Sequence, residues 1–288
     1  MPKISLSGST MVFLGAFFWS LCSPIVKFLN MDPMLILGLR SLIAGLTLLP
    51  FLRPRQLQRN GWLLMYLFSY AGLTMSVIVG LGLTTAPIVI GMQYTSLIIL
   101  FAVNFFLTKK FDRRAFAPVC IIMLGVVLFM CSDTDGANLQ GNLVALGSGV
   151  FFAGMTASAR KASGGNALGL TAVASLFTFL LVLAVFPHRM AGAQDMSGFQ
   201  WGLILFQGVV QVGGGYAFYN MGLEKVTPQK ASIVALWEMV MGPLWVALLV
   251  REYPSWLELL GLAVIMSGIV VDARTDRGAP TEDTAVSA

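Results

Sequence analysis

Charge is what this chain has least of. Only 11% of its 288 residues are Asp, Glu, Lys or Arg, against roughly 25% in a soluble domain, which excludes a water-facing globular surface. Histidine is scarcer still. His188 stands alone, and Cys22, Cys120 and Cys131 lie in or beside apolar runs without ligand spacing. A zinc site or a disulfide framework needs clustered Cys or His, so neither a metal nor a cofactor is expected. No nucleophile and base stand at a recognisable spacing, and Gly80-x-Gly82 lacks the strand and third glycine of a nucleotide loop. The short alternating segments of a membrane β-barrel are missing too.

What is there is hydrophobic: 57% of the residues, with a mean hydropathy of +0.82. Ten apolar runs are legible at 8–29, 33–52, 61–81, 86–108, 115–132, 140–160, 167–187, 199–221, 228–250 and 255–272. Each is near the ~20 residues that carry a helix across ~30 Å of hydrocarbon. Helices satisfy their own backbone groups in lipid. The expected fold class is an all-α integral membrane protein with ten transmembrane helices and no soluble domain. The apolar start after Lys3 reads as a retained first helix, because nine further runs follow and no small-x-small cleavage site is clear.

The chain also repeats itself. Residues 222–271 and 82–130 both open on Gly-Leu, run apolar to a charged turn and finish on a Gly-Val or Gly-Ile-Val end. Two five-helix repeats are expected, at 1–134 and 135–272, followed by a polar, disordered tail at 273–288. The net charge of +5 is sorted by loop and does not form a nucleic-acid patch. Lys3, Arg53, Arg55, Arg59, Lys109, Lys110, Arg113, Arg114, Arg160, Lys161, Lys225, Lys230, Arg274 and Arg277 fall on one face; only Lys27, Arg189 and Arg251 fall on the other. Cationic loops stay inside, so both termini are expected in the cytoplasm, with the lipid bilayer and a small molecule as partners and nucleic acid excluded. A repeat of five spans reverses its orientation, and inverted repeats recur in secondary transporters, whose halves exchange roles as the site opens to either side.

Within the spans, Gly141, Ala145, Gly149, Ala153 and Ala157 form a small-residue packing stripe. Pro24 and Pro243 lie well inside spans, where each removes a helical hydrogen bond and offers a kink or a hinge. Gln207, Gln211 and Tyr216, then Tyr66, Tyr70 and Thr74, then Gln93 and Asn104 give polar faces that serve helix packing or a cavity equally well. Arg40 and Glu238 are the only charges clearly within spans. Each costs about 2.5–3.5 kcal/mol at a helix centre on insertion scales. Arg40, about two turns into its helix, reads as a snorkelling anchor. Glu238, deeper and beside Trp237, reads as a structural hydrogen bond or as a site for an amine or a proton.

The pattern from Trp237 through Pro243 and Glu252 to Gly268 resembles the second half of drug/metabolite transporters, the ten-helix EamA type. The sequence departs from it at Met239, where relatives often carry proline. The resemblance implies a cavity formed by spans one, three, four, six, eight and nine, which adds Trp19, Ser20, Tyr70, Tyr94, Phe152, Gln211, Tyr216, Trp237 and Glu238 as candidate substrate-binding residues. An aromatic lining suits neutral or zwitterionic solutes, since ring faces hold apolar groups and ammonium heads alike. The resemblance points to amino-acid exporters, including those for aromatic amino acids, in a bacterial inner membrane, as a monomer or a homodimer. Three alternatives stand beside this. One is a transporter of other metabolites or drugs. Another is a membrane enzyme acting on lipid-linked sugars, with Asp133-Thr134-Asp135 as its metal site. The third is a passive channel.

Overall fold

The computed structural model describes residues 6–29, 31–84, 86–109, 113–131, 139–249, 251 and 255–276. The described residues form helices and turns. In order these are α1 (Gly8–Ser20), α2 (Cys22–Leu29), α3 (Pro33–Leu48), α4 (Gly61–Leu83), α5 (Ala86–Gln93), α6 (Ser96–Thr108) and α7 (Arg113–Met130). The second half holds α8 (Leu139–Ser163), α9 (Ala167–Val185), α10 (Gly198–Phe206), a π-helical segment (Gln207–Gly214), α11 (Gly215–Leu223), α12 (Pro228–Ala235), α13 (Trp237–Leu249) and α14 (Trp256–Asp276). Short polar residues start several of them: Asp32 accepts from the backbone of Met34 and Leu35, and Asn60, Asn166, Ser197 and Thr227 cap in the same way.

Among the described residues, seven passages are long and apolar enough to cross a membrane, not the ten expected. The shortfall has a local cause in each case. The strongly apolar parts of α7 and α14 are only Phe116–Leu128 and Leu259–Gly268. The passage from α10 to α11 is interrupted by glutamines and glycines. Pro118 stands inside α7. Helix α14 continues to Asp276, into the stretch read as tail; residues 277–288 lie outside the described residues, as do Asp133, Thr134 and Asp135. Phe106, Leu107, Leu248 and Trp256 are all more than 60% exposed. Side chains of that kind on the outside of helices belong against hydrocarbon, so the chain is an all-α, multi-span membrane protein.

Three passages are broken rather than continuous. Between α1 and α2 the chain closes a tighter turn, Leu21 N to Phe18 O at 3.3 Å, just ahead of Pro24, which has no N–H for the Ser20 carbonyl. Between α5 and α6, Tyr94 and Thr95 donate to Gly91 and Met92 three residues back. Between α12 and α13, Leu236 donates to Ile233 and Met239 to Leu236. This last break comes ahead of Trp237 and not at Pro243, which lies inside α13. Its consequence is chemical: Met239 no longer serves the Ala235 carbonyl, which is left for a side chain.

Packing brings the two halves together through glycine. Helices α7 and α14 cross where a Cβ on Gly125 would lie 2.7 Å from Ile265 and one on Gly268 would lie 2.6 Å from Ile122. The two contacts are reciprocal, each glycine meeting an isoleucine of the other helix. The stripe on α8 packs as expected: Gly141 meets Leu83 and Thr84, while Gly149 leaves space only for the Met92 carbonyl and Thr95. Helix α1 lies against α11 at Gly8, Gly15, Gly215 and Gly222, which draws the aromatic residues of both helices into one core.

Candidate functional site

The broken helices and the π-helical segment converge on one cavity at the centre of the helices. Trp19 and Cys22 flank the α1–α2 break, Arg40 comes from α3, and Leu73, Thr74 and Val77 come from α4. Gln93 stands at the α5–α6 break, Gln211 in the π-helical segment, Tyr216 on α11 and Glu238 at the start of α13. The cavity measures about 20 Å³, close to the ~10–15 Å³ that admits a single water.

The rings form a continuous sheath around it. Trp19 lies 4.6 Å from Tyr216 and 4.7 Å from Tyr219, centroid to centroid, and Tyr216 lies 4.5 Å from Tyr70. Phe152 closes the sheath edge-on to Trp19 and Tyr94. The outer hydroxyls are tied to neighbouring helices: Tyr70 to Ser175, Tyr219 to Thr156, and Tyr66 to the Asn220 amide. Such bonds fix ring positions across helices, so the wall is shaped before any solute meets it.

Glu238 is the acidic element, 7% exposed. Its Oε2 lies 3.0 Å from the Tyr94 hydroxyl and accepts from the Gln93 amide at 3.3 Å. The Tyr94 hydroxyl also lies 2.6 Å from the Ala235 carbonyl, the acceptor released by the α12–α13 break. Having one proton, Tyr94 serves only one of these acceptors at a time. Both hydrogen bonds to Glu238 fall on Oε2, so Oε1 has no protein donor among the described residues.

Arg40 is the surprise. It was expected to snorkel as an anchor, yet it is 2% exposed and lies in the cavity wall. The π-helical segment packs closely on α3 beside it: a Cβ on Gly208 would lie 3.0 Å from the Arg40 carbonyl. Its Nη1 reaches the Cys22 thiol at 3.4 Å and the Gln211 amide oxygen at 3.5 Å. No ion pair joins it to Glu238. The wall therefore carries a guanidinium and a carboxyl group that do not pair with each other.

Of the candidate residues, Trp19, Gln211, Tyr216 and Glu238 line the cavity, and Tyr70, Tyr94 and Phe152 form the layer behind them. Two lie elsewhere. The Ser20 hydroxyl donates to the Phe17 carbonyl and accepts from Trp245, joining α1 to α13. Trp237 packs edge-on against Phe13 at 5.8 Å, on the seam between the same two helices. Pro24 and Pro243 stand within α2 and α13, beyond the two breaks. Of the polar lining residues, Arg40 and Cys22 were the two not read as part of a cavity face. The signal for Arg40 was its rarity, as one of two charges within spans.

Comparison with known proteins agrees with this architecture. The model of the EamA-like transporter family matches the chain twice in tandem, over residues 6–131 and 139–272. One crystal structure, described only as that of a protein, superposes with a TM-score of 0.75 at 15% identity, covering 94% of this chain and 99% of its own. No curated protein matches. The tandem match spans nearly all of the described helices, and the chain belongs to the EamA-like transporter family: it is a membrane transporter of small molecules, not an enzyme.

Proposed function

We propose that this protein exports small zwitterionic metabolites, above all amino acids including aromatic ones, by alternating access. One observation carries the reading: a buried carboxylate with a free oxygen, Glu238 Oε1, sits in a cavity walled by Trp19 and Tyr216. A carboxylate takes an ammonium, and rings take an apolar side chain and reinforce the ammonium. The cavity holds about one water, so an amino acid enters only when the wall separates. The breaks at Leu21, Tyr94–Thr95 and Leu236 supply places where helices can swing without losing further hydrogen bonds.

In this reading the ten helical passages all span the membrane, as two inverted five-helix repeats at 1–134 and 135–272. The reciprocal Gly125–Ile265 and Gly268–Ile122 contacts support that arrangement. So does the backbone: Lys109 and Arg251, at matching turns of the two halves, are the two non-glycine residues with positive φ among the described residues. The protein sits in a bacterial inner membrane with both termini cytoplasmic and functions as a monomer or homodimer. An alkaline phosphatase fused after Ala288 is expected to be inactive. Periplasmic activity of that fusion would overturn the orientation and the even number of spans.

Counterflow in proteoliposomes with a mixed amino-acid and metabolite panel tests the substrate. Amino acids, aromatic ones foremost, are expected to exchange saturably. Trp19→Ala is expected to weaken them severalfold, since ring contacts contribute about 0.5–1.5 kcal/mol beyond burial. Trp237→Ala, away from the cavity, changes affinity less. Exchange of sugars alone, or flux that does not saturate, would overturn the reading.

A further inference from the structure

We propose that Arg40 and Trp19 form a carboxylate subsite in the central cavity, separate from Glu238, so that a preferred solute carries both an ammonium and a carboxylate. The proposal rests on the transport reading above and specifies which chemical class fits it.

Burial and bonding carry the argument. A guanidinium 98% removed from solvent ordinarily meets a carboxylate at about 2.7–2.9 Å, but Arg40 meets only a thiol at 3.4 Å and an amide oxygen at 3.5 Å. Both of these bonds leave from Nη1. Nε is buried without any partner, and among the described residues no acceptor lies on the Nε–Nη2 edge. That edge presents two parallel N–H groups, the geometry that holds a carboxylate bidentately.

A second buried donor lines the same cavity. Trp19 is 4% exposed, and its Nε1 has no partner. Glycine at 215 lies against that indole edge, where a Cβ would stand 2.7 Å from Nε1, so the N–H meets a solute only when the wall separates, as entry itself requires. The unpartnered donors and the free Oε1 of Glu238 thus line one cavity without pairing with each other. The match is a zwitterion, its carboxylate on Arg40, its ammonium on Glu238 and its side chain among the rings. A nucleotide sugar, with two phosphate charges and no ammonium, fits the cavity poorly.

Equilibrium binding of L-phenylalanine, phenethylamine and 3-phenylpropionate to the purified full-length protein tests this. The wild type is expected to bind phenylalanine more tightly than either one-ended analogue. Arg40→Met is expected to lower the phenylalanine-to-phenethylamine affinity ratio by about tenfold or more, the size of a lost charged hydrogen bond. Trp19→Phe keeps a ring, removes only the indole N–H, and is expected to lower that ratio about two- to fivefold. It keeps the question answerable should Arg40→Met fail to fold. An unchanged ratio in Trp19→Phe and in folded Arg40→Met overturns the subsite and leaves amino-acid transport standing. Equal wild-type affinity for phenethylamine and phenylalanine does the same. A wild type that binds none of the three overturns the amino-acid reading and the subsite together.

Discussion

Glutamine in place of Glu238 is expected to abolish the response of transport to a pH gradient and to weaken ammonium-bearing solutes about tenfold to a hundredfold. The hydrogen-bond geometry supplies the reason. Tyr94 stands between the Ala235 carbonyl at 2.6 Å and Glu238 Oε2 at 3.0 Å with a single proton to give. When Glu238 carries a proton, it donates to the Tyr94 oxygen, Tyr94 donates to Ala235, and the chain of bonds is complete. When Glu238 is a carboxylate, one acceptor loses its donor, and an ammonium on Oε1 offsets that loss. Under the proposed reading, proton and solute compete for one side chain.

The sign follows from that competition. Higher pH on the loading side strips the proton and favours loading, while lower pH on the far side restores it and favours release. Under the proposed reading, an acidic exterior is expected to drive export. Glutamine mimics the protonated carboxyl: its amide can donate to Tyr94, so the fold is retained while both charge and titration are lost. Exchange of neutral solutes is expected to survive, and counterflow at matched and mismatched pH reads both effects. Glu238→Leu is a poorer probe, because it leaves the buried Gln93 amide without its acceptor and destabilises the helices as well. Wild-type rates, pH response and preference in Glu238→Gln would leave Glu238 only a structural acceptor.

Leucine at Gly15 is expected to remove folded protein from the membrane. A Cβ at that position would stand 2.8 Å from the Gly215 carbonyl and 3.0 Å from the Tyr219 backbone nitrogen. Backbone atoms cannot rotate aside as a flexible side chain can, so α1 and α11 must separate. Overpacking of this kind costs about 1–3 kcal/mol or more, and here it also parts Trp19 from Tyr216 and Tyr219. Gly15→Ala is expected to lower the melting temperature, and Gly15→Leu to yield little or no folded protein by size-exclusion chromatography in detergent. Gly202→Leu is the control, since nothing lies within 4 Å of its Cβ position. Equal yields of the Gly15 and Gly202 variants would show that the α1–α11 crossing is not tightly constrained.

What the sequence determined by itself was whatever depends on sums along the chain. Residence in lipid follows from 57% hydrophobic residues against 11% charged ones, because the transfer of a span is nearly additive over its residues. The small stripe of α8 was legible because periodicity places it on one face whatever the neighbour. The tertiary structure decided everything that depends on how helices are rotated and where they break. Trp19 and Trp237 look equivalent as letters, yet one lines the cavity and the other packs on Phe13. Arg40 looked able to reach the interface, until the glycines of the Gln207–Gly214 segment brought a neighbouring helix against α3. The acceptor that positions Tyr94 exists only because the chain breaks at Leu236, and no residue there announces a break. Hydropathy is a property of each residue, whereas a cavity wall is a property of several helices meeting, so the membrane could be read from the sequence, while the resemblance supplied part of the wall and the places of Arg40 and Trp237 needed the structure.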